Sequence, residues 1–230
     1  MTPARRLVGE LFGTALLLAA VVGSGIIGER LSGGNAAIAL LANTNATGAT
    51  LVTLIFTFGS ISGAHFNPAF TLADASQGGM RCRHVPGYIV AQVAGAVLGV
   101  WSAHLMFAEP VIQVSQHVRE GSSQMFSEFV ATFGLLSVIW GCGRLRAEAV
   151  PFAVGLYITV AYWFTASTSF ANPAVTLARS FTNTFAGIRP AHAPALSWPS
   201  SPALSLRRFF SLACTLAPQT GAGCCSSSQR

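Results

Sequence analysis

Two stretches of this chain nearly repeat each other, Asn67-Pro68-Ala69-Phe70-Thr71-Leu72-Ala73-Asp74 and Asn172-Pro173-Ala174-Val175-Thr176-Leu177-Ala178-Arg179. Each follows an apolar segment long enough to cross a membrane. Asparagine suits a helix N-cap, and proline suits the first helical turn because no amide hydrogen is needed there. Each motif therefore predicts a short helix that starts inside the apolar region. At membrane depth, irregular backbone is tolerated only where it is buried in protein or lines a water-filled cavity. Two such helix starts imply a cavity between them.

The composition agrees with a membrane setting: 9% of the 230 residues are charged, against roughly 25% in a soluble domain. The mean hydropathy is +0.56. All 13 basic residues are arginines, and six of them fall in three pairs between apolar runs, where they set orientation and do not point to a nucleic-acid partner. Five spans are predicted, at 7–27, 36–59, 86–107, 124–142 and 149–166. The first is too long for the core of a cleavable signal and is read as a retained span. Arg5 and Arg6, Arg81 and Arg83, and Arg144 and Arg146 mark three connections as cytoplasmic. That places a multi-pass protein in the inner (plasma) membrane with its N-terminus in the cytoplasm.

In this orientation the Asn67 motif enters from the cytoplasmic side and the Asn172 motif from the outer side, so the two halves are inverted. Glu10-Leu11-Phe12-Gly13-Thr14 in the first span and Glu128-Phe129-Val130-Ala131-Thr132 in the fourth carry the same duplication. The phrase Ser62-Gly63-Ala64-His65-Phe66-Asn67-Pro68-Ala69, with the second Asn172-Pro173-Ala174, resembles the aquaporin and glycerol-facilitator family, the major intrinsic proteins. The resemblance covers residues 5 to about 190. It implies an all-α polytopic membrane protein, an aquaporin-like inverted repeat with two re-entrant half-helices that meet head to head, and a homotetramer with one pore per protomer. The expected organisation is a channel domain over 1–190, with repeat one at 5–107 and repeat two at 124–190, and a tail at 191–230 outside the family pattern.

Two opposed helix N-termini offer partial positive charge and free amide hydrogens, and the carboxamides of Asn67 and Asn172 can donate to an oxygen between them. A neutral molecule can pass from donor to donor, whereas cations and hopping protons are opposed. The resemblance also implies a narrow selectivity ring. Its four positions, counted from the two asparagines, are Thr47, Val160, Ser169 and Val175. Val175 stands where nearly all water and glycerol channels of the family carry arginine. Without that guanidinium the ring is wider and less polar. It resembles that of a bacterial subgroup associated with arsenical resistance, which implies metalloid hydroxides such as arsenite, or methylated arsenicals, with some water and small polyols.

Glu10 and Glu128 lie inside apolar spans, where an ionisable residue invites a functional reading. The resemblance implies that they brace the re-entrant loops, in preference to a proton relay. His65 is read as bracing its own loop, in preference to sensing pH. Arg179 lies two helical turns past Asn172, about 10 Å away, and a surface or interhelical role is expected. Gly95 and Gly99 match a close-approach motif between helices. No metal-ligand spacing, nucleophile or cofactor motif is present among the cysteines and histidines, so neither a metal, a cofactor nor an enzyme is expected.

From Ala191 onward the expected sixth span is missing: the longest proline-free apolar stretch, 203–217, contains Arg207 and Arg208. A shifted reading frame after Pro190 is preferred over a genuine extension. Two other functions stay open, a secondary transporter with broken helices and a truncated product that does not conduct.

Overall fold

The computed structural model describes residues 1–194. Its helices are α1 (Pro3–Leu31), α2 (Ala36–Ser62), α3 (Pro68–Ser76), α4 (Val85–Met106), α5 (Ser122–Leu145), α6 (Val150–Phe164) and α7 (Pro173–Ala178). Five of them, all but α3 and α7, are long and apolar enough to cross a membrane once the short turns that lead into α4 and α6 are included. The expected spans fall within these five to a few residues.

The polarity is that of a protein solvated by lipid. Phe12, Leu16, Phe56, Val90, Leu98, Phe129 and Leu156 face outward, while polar groups turn inward and find partners there. Asn43 Nδ2 donates to the Val21 carbonyl at 2.7 Å, and Thr44 Oγ1 to the Thr159 carbonyl at 2.8 Å. Such bonds are required where no water can satisfy the groups. The α1–α4 pair packs most closely: a Cβ on Gly95 would collide with the Leu11 carbonyl, and one on Gly99 with that of Ala15. Small residues here let the two backbones approach.

The half-helices α3 and α7 start in the interior. Asn67 caps α3 through its side-chain oxygen, 2.9 Å from the Ala69 amide. Asn172 caps α7 on Ala174 and Val175, at 3.0 and 3.3 Å. Pro68 and Pro173 occupy the first turns. The two helices run apart, α3 toward the face that carries the N-terminus and α7 toward the far face.

Residues 107–121 and 179–194 close over the far face. Ser115 N donates to Ser180 O at 3.1 Å, Arg189 N to His117 O at 2.8 Å, and His104 Nε2 lies 2.8 Å from Thr182 Oγ1. Among the described residues no helix follows α7 to do for α5 what α4 does for α1. The apolar window of α5 is accordingly 28% buried, against 56% for that of α1. An apolar groove of about 350 Å³, lined by Pro68, Val93, Pro173, Leu177 and Phe181, opens beside the half-helices. The expectation of a shifted frame concerns residues 191–230; from 195 onward these lie outside the described residues.

Candidate functional site

The loops that lead into α3 and α7 are built alike, residue for residue. Gly63, Ala64 and Phe66 have φ of 91°, 50° and 48°, and Thr168, Ser169 and Ala171 have φ of 59°, 47° and 44°. Apart from Gly63, each is in a sparsely populated conformation that costs about 1–3 kcal/mol and needs fixing from outside.

Buried carboxylates supply that fixing. Glu10 accepts bonds from Ser62 Oγ at 2.6 Å, His65 N at 3.0 Å, Phe66 N at 2.7 Å and Gln92 Nε2 at 2.8 Å. Glu128 accepts from Phe170 N at 2.9 Å and Ala171 N at 2.8 Å. His65 Nδ1 lies 3.1 Å from Thr71 Oγ1, and its ring packs edge-on against Phe70. The loops also hold each other: Asn67 Nδ2 donates to the Ala171 carbonyl at 2.8 Å, and Asn172 Nδ2 to the Phe66 carbonyl at 2.7 Å. A carboxamide has two N–H donors, so each asparagine, with one committed to this crossed pair, keeps the other for the space between the helix ends.

That space is a cavity of about 120 Å³, room for several waters. Asn67, Asn172 and His65 line it, as do Thr47, Ser169 and Val175. Much of the remaining wall is aliphatic or aromatic, including Leu51, Ile55, Leu135 and Val154. The Ser169 hydroxyl is buried and has no hydrogen-bond partner among the described residues.

Val160 is not part of this wall. It is 56% exposed, whereas Ile158 and Tyr162 face the cavity and are 7% and 4% exposed. The reason is helical phase. Val150, Val154, Ile158 and Tyr162 recur every four residues along one face of α6, and Val160 lies more than half a turn from Ile158. Counting back from Asn172 crosses the 165–171 loop, whose length sets the phase, and so places Val160 wrongly. Ile158→Ala removes three carbons from the cavity wall and is expected to alter the ratio of glycerol to water entry into reconstituted vesicles at least about tenfold, the low end of what one methylene is worth in such a pocket. Val160→Ala should leave that ratio unchanged.

Arg179 is also not at the surface. It is 2% exposed, donates from Nε to the Ala186 carbonyl, and sets its guanidinium 4.0 Å from the centre of the Phe170 ring. Arg119, from the 107–121 segment, lies 5.4 Å from the centre of the same ring. Phe170, which lines the cavity, thus has two guanidinium groups against its ring. Arg119 was legible in the sequence only as a loop charge. The signal that could have found it is Thr168, a β-branched residue where the first loop has Gly63.

Comparison with known proteins agrees with this architecture. The pattern of the family described as Major intrinsic protein matches residues 1–146. The chain is 58% identical over 190 residues to the aquaglyceroporin AqpS of Rhizobium meliloti, covering 83% of this chain and 81% of that protein. It is 35% identical over 156 residues to nodulin-26 of Glycine max, covering 66% of this chain and 56% of that one. The X-ray structure of the aquaglyceroporin from Plasmodium falciparum superposes with a TM-score of 0.70 at 19% identity, covering 94% of this chain and 98% of that one, which speaks to the fold alone. Re-entrant half-helices capped by paired asparagines, five membrane-length helices among the described residues and these matches lead to one identity: the chain is a multi-pass membrane protein of the major intrinsic protein family, a family of channels for small neutral solutes.

Proposed function

We propose that this chain forms a passive pore for small uncharged solutes, with metalloid hydroxides such as arsenite or methylated arsenicals as its characteristic permeants and with some water and small polyols. The observation that carries this reading is Val175 in the cavity wall beside Thr47 and Ser169, in place of a guanidinium that would fill the space and grip hydroxyls. The two helix N-termini and the free asparagine donors offer hydrogen bonds to a hydroxyl-rich neutral molecule and oppose cations. The functional unit of this reading is a channel domain over 1–190, assembled as a homotetramer in the inner membrane with the N-terminus cytoplasmic and the far face outside.

The test is solute entry into vesicles reconstituted with the purified full-length chain. Arsenite at neutral pH, glycerol and water are expected to enter without saturation, and entry should survive ionophores that collapse ion gradients. Saturable entry that stops with the gradient would instead establish a secondary transporter. A second reading, a product that does not conduct, is favoured by the sparse burial of α5, and entry no faster than in protein-free vesicles would establish it.

A further inference from the structure

We propose that Arg119 is the positioning residue of the pore's outer half: it straps the loop before Asn172 into the turn that aims Ser169 at the passing solute. The proposal rests on the pore reading above for the identity of that solute.

The two re-entrant loops correspond position by position, Ser62 with Ser167, Gly63 with Thr168 and Ala64 with Ser169. In the first loop the left-handed turn is made by Gly63 at φ 91°, a residue with no Cβ to strain. It is held from outside by α4, where the Tyr88 hydroxyl donates to the Ser62 carbonyl at 2.7 Å. In the second loop the same turn is made by Thr168 at φ 59°, and a β-branched residue is among the least tolerant there.

Among the described residues the second repeat has no counterpart of α4 to hold this turn. Arg119 does so. Its Nη1 lies 3.3 Å from the Ser167 carbonyl, the atom equivalent to the one Tyr88 binds, and 3.3 Å from Thr168 Oγ1. Its Nε donates to the Gly187 carbonyl at 3.2 Å, and its backbone amide to His192 Nδ1 at 3.2 Å. One side chain therefore ties the turn to the segment after α7, and does so through several donors of a rigid planar group that lysine cannot reproduce.

The next residue is Ser169. Its amide is bonded to Ser167 Oγ at 3.3 Å, and its own hydroxyl, 3% exposed, is unpartnered in the cavity wall. A hydroxyl can donate and accept, and this one is fixed in direction by the turn that Arg119 holds. The position that sets what the pore recognises is thus secured from a loop distant in sequence.

The experiment places a reporter at Ser169. In a full-length background with Cys82, Cys142, Cys214, Cys224 and Cys225 changed to serine, Ser169→Cys is labelled in reconstituted vesicles with an uncharged maleimide. Arg119→Ala is expected to speed labelling about tenfold, the factor set by releasing one strained turn. Arg119→Lys should speed it similarly, because the charge stays and the geometry is lost. Adding Thr168→Gly to Arg119→Ala should return the rate to within about twofold of the start, because glycine takes the left-handed conformation without the strain that threonine brings. Loss of a nearby positive charge by itself slows labelling, since the thiolate is the reacting form, so a rise reports opening of the loop.

An unchanged or slower rate in Arg119→Ala overturns the proposal. So does failure of Thr168→Gly to restore the rate, or a normal rate in Arg119→Lys, which would make Arg119 a source of charge only. Labelling needs no flux. Vesicles that label as expected but admit no solute leave the strap standing and overturn the pore.

Discussion

Glu10→Ala is expected to remove nearly all folded protein from the membrane fraction. The carboxylate accepts from two backbone amides, His65 N and Phe66 N, and from Ser62 Oγ and Gln92 Nε2, and Glu10 itself is fully buried. Alanine leaves these donors without an acceptor, at roughly 1–3 kcal/mol for each group. Water cannot compensate at this depth. Over the four groups that is about 4–12 kcal/mol, comparable to the whole stability of a typical domain, about 5–15 kcal/mol. The loss should appear as a collapse of the monodisperse peak in detergent size-exclusion chromatography and as early unfolding in a denaturant series. Glu10→Gln, which keeps one acceptor oxygen, should fall between. If Glu10→Ala gave a peak and midpoint like those of the unaltered chain, the hydrogen bonds to Glu10 would not be what holds the first loop.

The second large effect is on selectivity. Val175 lies in the cavity wall and is 6% exposed, so Val175→Arg brings a long charged side chain into a space of about 120 Å³. The guanidinium should narrow the passage, offer five fixed donors and repel cations. Arsenite and glycerol entry are expected to fall at least about tenfold, a change of 1.4 kcal/mol, while water entry falls less. Stopped-flow light scattering on matched vesicles measures all three. Unchanged arsenite entry would mean that Val175 does not stand at the narrow point.

These expectations differ in how much of them was legible beforehand. The spans could be read because a membrane helix needs a long apolar run. The half-helices could be read because asparagine followed by proline marks a helix start by local chemistry alone. Val160 could not be placed, because its orientation depends on the phase with which α6 enters the bundle, and the loop before Asn172 resets that phase. Arg119 read as a loop charge and Arg179 as a surface or interhelical one, since nothing near them in sequence announces Phe170 as the ring they share.

What the sequence alone determined, then, is the set of properties that arise from neighbours along the chain: five apolar spans, two capped half-helices and a pair of buried glutamates in duplicated surroundings. Only the tertiary structure decided which face of α6 lines the cavity, that each asparagine donates to the carbonyl before the other, and that Arg119 holds the turn at Thr168. The physical reason is reach. Capping and hydrophobic periodicity act over a few residues. These contacts instead close between segments dozens of positions apart, and they form only once the helices have packed.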